Sequence, residues 1–96
     1  MKVGIVAIHY PRPEFRDQLI SRVQQAAEVM RATDGCLASD CWVNLSDETV
    51  VAAGQWDNQE ALARSFDAVN AHGVDFGYDD RELRPTEVLR LLTPDD

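Results

Sequence analysis

The chain of 96 residues contains no apolar run approaching the length of a membrane span, and its nine basic residues form no cluster. The first absence excludes a transmembrane helix. The second, with a formal net charge of −8 at pH 7, argues against nucleic acid and anionic lipid as partners, because phosphate surfaces are held by concentrated Lys and Arg. The opening MKVGIVAIHYPRP reaches His9 and Pro11 too soon to supply the apolar region of a signal peptide. A soluble, cytoplasmic protein is the expectation. Glycine-rich phosphate loops and nucleophilic triad motifs are missing. The two cysteines and two histidines fall without ligand spacing, so no metal and no flavin or other cofactor is expected. Cys36 and Cys41, if on one strand, stand about 16 Å apart at about 3.3 Å per residue, too far to bridge, and are read as reduced small hydrophobes.

What is present is a globular composition, 45% apolar, with no repeat, linker or low-complexity stretch. Residues 1–96 are expected to form one domain. KVGIVAIHY (2 to 10) is β-branched and apolar on both parities, as in a central strand. Pro13 suits a first helical position, Glu14 and Asp17 suit the first turn, and Phe15, Leu19, Val23, Ala26, Ala27 and Met30 recur at helical spacing, which predicts a helix over 13–32. Gly35 ends it. CLASDCWVN and TVVAAGQW then read as two strands joined by a polar turn. A second helix follows directly, with Asp57 and Glu60 in an approximate capping-box arrangement and Ala61, Leu62, Ser65, Phe66 and Val69 along one face. After the glycine-punctuated AHGVDFGYDDRELRP comes a last strand, TEVLRLL.

The order strand, helix, strand, strand, helix, strand predicts an α+β fold: a ferredoxin-like βαββαβ unit with a four-stranded antiparallel sheet and both helices on one face. Several strands are apolar on both parities, so the other face would be an exposed apolar patch. A second copy of the chain, sheet against sheet, is the simplest cover, which predicts a homodimer with Trp42 as an interface anchor.

An even loop between the second and third strands pairs residue 44 with 49 and phases the sheet. Val50, Ala52, Gly54 and Trp56 then share a face with Val43, Cys41, Ser39 and Leu37. An odd loop would shift the register by one and place them differently. In the even case the middle of that face is small, and Trp56 stands as one wall of a pocket that Ala52, Gly54 and Ser39 leave open, with Phe66 on the helix opposite. The competing reading makes Trp56 an ordinary core residue.

Other polar residues carry two readings each. His9 is either a proton carrier or a hydrogen-bonded strand end. Arg90, inside VLRLL, either stabilises an oxyanion in the cavity or pairs with a carboxylate such as Asp40 across the sheet or a subunit interface. Tyr78, in the most loop-like segment, is either a lid residue over the ligand or a loop anchor. His72, before Gly73, suits the end of the second helix.

HYPRPEFRDQL, then DGCLASDCWVN, then QWDNQEAL resembles the antibiotic biosynthesis monooxygenase superfamily of dimeric α/β-barrel proteins, over about residues 3 to 66. The resemblance implies that Trp56 lines a substrate cavity between sheet and helices. It also implies a choice of activities, from cofactor-independent oxygenation of aromatic polyketides and quinols to haem degradation. The chain departs from the family's common residues at Gly54, where an acidic residue is usual, and at Ala52, where the oxygenases place an asparagine. It departs also at Ser65, where a histidine is common, and at Ser39, where an aromatic is frequent. Two functions are consistent with this pattern. One is a cofactor-independent monooxygenase acting on a small aromatic, with His9 and Arg90 as catalytic groups. The other is a non-catalytic dimer that binds a small apolar molecule or serves a pathway as an accessory.

Overall fold

A computed structural model describes residues 2–74 and 79–94. Among these the elements run β1 (Val3–His9), α1 (Arg16–Arg31), β2 (Cys36–Val43), β3 (Val50–Trp56), α2 (Gln59–Ala71) and β4 (Glu87–Leu92), with a single 3-10 turn at Pro13–Phe15 leading into α1. Pro13 opens that turn because its fixed φ suits helix entry and its missing N–H is one that would lack a partner there. The strands form one antiparallel sheet in the order β2-β3-β1-β4, the expected ferredoxin-like arrangement.

The register follows from the hairpin. Asn44 and Thr49 close an even loop, through a 2.9 Å bond from Asn44 N–H to Thr49 O, and Val43 pairs with Val50. Cys41, Ser39, Ala52 and Gly54 therefore share a face with Trp56, as the even-loop reading required. Leu37 does not. A β-bulge between Cys36 and Ala38 sets Cys36 opposite Trp56, so Cys36 packs against the core while Leu37 is 48% exposed.

The cap of α2 also differs from expectation. Asn58, not Asp57, is the N-cap, its Oδ1 accepting from Ala61 N–H at 2.8 Å, while Asp57 N–H donates to Gly35 O at 2.9 Å. Asp57 is thus spent on fixing the strand-to-helix corner against the turn that leads into β2. At the other end of α2, His72 caps as expected, its Nδ1 2.9 Å from Ala68 O.

Both helices lie on one face of the sheet. Helix α1 packs chiefly on β2, and α2 packs on α1 and more lightly on β2 and β3. The β1–β4 half of the face is left with less cover, and every residue of β4 is exposed. The buried apolar residues accordingly fall in two clusters. One surrounds Ile5, Met30, Trp56 and Leu62; the other is Leu19, Val23 and Val50. On the opposite face Trp42 is 61% exposed, and Leu89 and Leu91 are about half exposed.

Candidate functional site

A cavity of about 370 Å³ lies between the sheet and the helices, lined by residues of both core clusters. Its origin is legible in side-chain size. Ala7 and Ala52 on the sheet face Ala26 and Ala27 on α1, so the layer stays unfilled where larger residues would have met. Ile5, Met30, Phe66 and Val74 give apolar walls, and Val88 on the edge strand β4, half exposed, borders the cavity where the helices no longer cover the sheet.

Trp56 is part of this lining and is itself 2% exposed. Its Nε1–H donates to Ser65 Oγ at 2.7 Å; Ser65 and Thr33 are hydrogen-bonded through their hydroxyls, and Thr33 Oγ1 donates to Met30 O at 2.7 Å. Because each hydroxyl has one hydrogen, the chain runs in a single direction, from indole to serine to threonine to the backbone of α1. Both readings of Trp56 are thus realised at once: it is a core residue and a wall. The space above Gly54, however, is not open. A Cβ placed on Gly54 would lie 2.5 Å from Trp56 Cη2 and 3.0 Å from Ala38 O, so the indole occupies the room that this glycine provides. The empty volume lies beside it, over the alanines.

At the far end of β1 the cavity meets His9, which is 2% exposed. Behind His9 stands Glu82, also 2% exposed, with its Oε1 3.5 Å from His9 Nδ1. Thr86 Oγ1 lies 3.2 Å from the same nitrogen and donates to Glu82 Oε1 at 3.4 Å. Burial pushes the His9 imidazole below its ordinary value of 6.5; the Glu82 carboxylate works against that shift, and the charge of Arg22 on α1 adds to it. Glu82 Oε2 is buried with no hydrogen-bond partner among the described residues.

The loop carrying Glu82 is pinned across the end of the sheet. Leu83 N–H donates to Tyr10 O at 2.7 Å, Arg12 N–H donates to Arg81 O at 2.8 Å, and Pro11 and Glu82 form an isolated bridge. Arg81 reaches Gln18 on α1 at 3.1 Å and pairs with Asp79, whose carboxyl it holds down at about 2. These ties place a carboxylate from the glycine-punctuated segment behind the last residue of β1.

Of the residues predicted from sequence, His9, Ser39, Ala52, Gly54, Trp56 and Phe66 all border the one cavity. Arg90 does not. It stands opposite Ile5 on the exposed edge strand, outside the lining, and Asp40, its anticipated partner, lies on β2 at the far edge of the sheet, 3.7 Å from Arg31. The oxyanion role read for Arg90 is therefore set aside, because its side chain borders no wall of this cavity, and pairing with Asp40 within the sheet is set aside because two strands separate them. Tyr78 lies outside the described residues. Glu82 and Thr86 were missed by the sequence reading. The acidic residue sits among four other charges in DDRELR, and only the pairing of Pro11 with Glu82 shows that one of them turns inward. Cys36 and Cys41 are free thiols, and burial raises both above the ordinary thiol value. Among the described residues no group of three His, Cys, Asp or Glu side chains is placed to hold a metal ion, and no helix is long and apolar enough to cross a membrane.

A family model described as antibiotic biosynthesis monooxygenase matches residues 3–71. No match is found among curated proteins. Among solved structures the chain is similar to Rv0793 from Mycobacterium tuberculosis, with a TM-score of 0.85 at 22% identity, over 100% of this chain and 98% of that one. PA3566 from Pseudomonas aeruginosa superposes with a TM-score of 0.78 at 18% identity over 96% and 93% of the two chains. A protein described as an antibiotic biosynthesis monooxygenase gives 0.68 at 20% identity over 95% and 97%. At these identities the likeness establishes the fold.

Proposed function

The chain belongs to the antibiotic biosynthesis monooxygenase family, and from that premise we propose that it is a cofactor-independent monooxygenase acting on a small aromatic, quinol-like or polyketide-like, held in the cavity beside Trp56. The observation that carries this reading is a largely apolar cavity of about 370 Å³ bordered by a buried imidazole. The volume falls in the range of small-molecule sites.

Such a reaction asks the protein to bind, to exclude water and to take a proton. A phenolic or anthrone-like substrate loses a proton to His9, and the apolar walls leave the resulting anion poorly solvated, so its electron pair is more available to oxygen. For an anthrone the ring methylene forms a carbon–oxygen bond with O2. Loss of water from the hydroperoxide leaves a carbonyl, one oxygen atom being retained and the other leaving as water. Trp56, fixed through Ser65 and Thr33, supplies a rigid aromatic edge beside which such a ring sits.

The working unit in this proposal is a homodimer. Trp42, Leu89 and Leu91 leave an apolar surface on the face of the sheet away from the helices, and a second copy covers it.

Oxygen uptake tests the proposal. Chelator-treated protein without a flavin spectrum is mixed with a panel of hydroquinones and anthrones, beside a His9→Gln variant. The expected result is uptake above buffer with at least one compound, largely lost in the variant. Saturable binding across the panel with no uptake above buffer would replace the oxygenase with a non-catalytic small-molecule carrier.

A further inference from the structure

Glu82 and Thr86 place two oxygens on one nitrogen of His9, and the hydrogen count then decides where the imidazole proton sits. A carboxylate accepts only. The single hydroxyl hydrogen of Thr86 is donated to Glu82 Oε1, so Thr86 Oγ1 has only lone pairs left for His9 Nδ1, 3.2 Å away. With the Thr86 hydrogen so placed, Nδ1 carries the imidazole hydrogen, directed between Thr86 Oγ1 at 3.2 Å and Glu82 Oε1 at 3.5 Å. From this we infer that Glu82 and Thr86 are positioning residues that hold neutral His9 as its Nδ1–H tautomer, make Nε2 the basic nitrogen, and select ligands that arrive neutral with an acidic hydroxyl to give.

The selectivity follows from charge. Before transfer the site holds one negative charge on Glu82; after it, phenolate, imidazolium and carboxylate alternate in sign with the same total. The alternating arrangement is favourable in a low-dielectric interior, and it exists only while Glu82 is charged. A ligand that enters already ionised, such as an aromatic carboxylate, brings a second negative charge into an apolar cavity beside a buried one and is disfavoured. Among the described residues, the groups that bear on His9 include Glu82 and Thr86 from the segment before β4 and Arg22 from α1. This inference rests on the cavity being the ligand site, but neither of its readouts needs turnover, so a failed oxygen-uptake test would leave it standing.

Two measurements test it. In the ligand-free wild-type protein, nitrogen-15 NMR of labelled histidine reports the tautomer of His9, and the expected form has the proton on Nδ1; a proton on Nε2 would overturn the inference whether or not any variant folds. In the second, the probes are 4-nitrophenol, whose absorbance reports ionisation, and its methyl ether, 4-nitroanisole, which has no proton to give. Glu82→Gln should lower the ionised fraction of bound nitrophenol and weaken its binding about tenfold, while nitroanisole binds about as before. Equal ionisation of bound nitrophenol in the two proteins, or parallel losses for phenol and ether, would show that Glu82 acts on the shape of the site and not through the proton of His9.

Discussion

Substituting Gly54 by alanine adds one methyl group at the point where β3 passes beneath the indole of Trp56. The new Cβ would lie 2.5 Å from Trp56 Cη2, 2.9 Å from Cζ3 and 3.0 Å from the carbonyl oxygen of Ala38. None of these neighbours yields easily. The Ala38 carbonyl belongs to β2, and the indole is 2% exposed and held by its hydrogen bond to Ser65. Overpacking of this kind costs about 1 to 3 kcal/mol, and replacing glycine in a strand returns roughly 0.5 to 1 kcal/mol of backbone entropy. The net expectation is a loss of about 1 to 2 kcal/mol, read as the shift of the urea midpoint at constant m-value. The contact itself is isolated by a double-mutant cycle with Trp56→Phe, whose ring stops short of the Cη2 and Cζ3 edge. In that background Gly54→Ala should cost little, giving a coupling of about 1 kcal/mol or more. A neutral or stabilising Gly54→Ala in the parent protein would refute the packing argument, and with it the claim that the cavity lies beside the tryptophan and not above the glycine.

The remaining expectations are simpler. Ser65→Ala leaves the buried Trp56 Nε1–H without its acceptor and should destabilise by about 1 to 3 kcal/mol in chemical denaturation. Asn58→Ala should cost about 1 kcal/mol by removing the cap of α2, whereas Asp57→Ala, which leaves the backbone bond to Gly35 in place, should cost distinctly less by the same assay. His9 is held below its unfolded value of 6.5, so the unfolded chain binds more protons below that pH; its share of stability is complete above 6.5 and falls as pH drops, by up to about 1.4 kcal/mol per unit. Urea midpoints of wild type and His9→Gln between about pH 6.5 and 5 should diverge in that sense, a window that Asp79, held at about 2, does not enter. Light scattering should give twice the 10.7 kDa chain mass, and Trp42→Asp should return it to one chain or unfold it, since a charge in a buried interface costs several kcal/mol.

The architecture was legible because its signals are local and periodic. The helical spacing from Phe15 to Met30, the two β-like runs around an even polar turn and the apolar face from Ala61 to Val69 each specify an element and its orientation, and the order of elements leaves few topologies. The lining of the cavity was legible for the same reason: a strand's period of two ties Ala52, Gly54 and Trp56 to one face once the loop length is known. What escaped depends on single residues meeting at long range. The bulge that exchanges Leu37 for Cys36 and the choice of Asn58 over Asp57 as cap turn on one-residue shifts within otherwise correct elements. Glu82 lies 73 positions from His9 in an acidic, loop-like stretch with no period, and only the backbone bonds to Tyr10 and Arg12 bring it inward. Arg90 misled because an arginine among leucines suggests a buried partner, whereas β4 is an edge strand exposed throughout.

The most direct test of the account is the fluorescence of Trp56 alone, in a Trp42→Phe protein first shown to keep its mass in solution, titrated with a hydroquinone or anthrone. The cavity reading predicts saturable quenching at one ligand per chain, abolished by Ala52→Leu, which fills the space beside the indole without altering the hydrogen bond to Ser65. Quenching that rises linearly without saturation, or that survives Ala52→Leu unchanged, would contradict it.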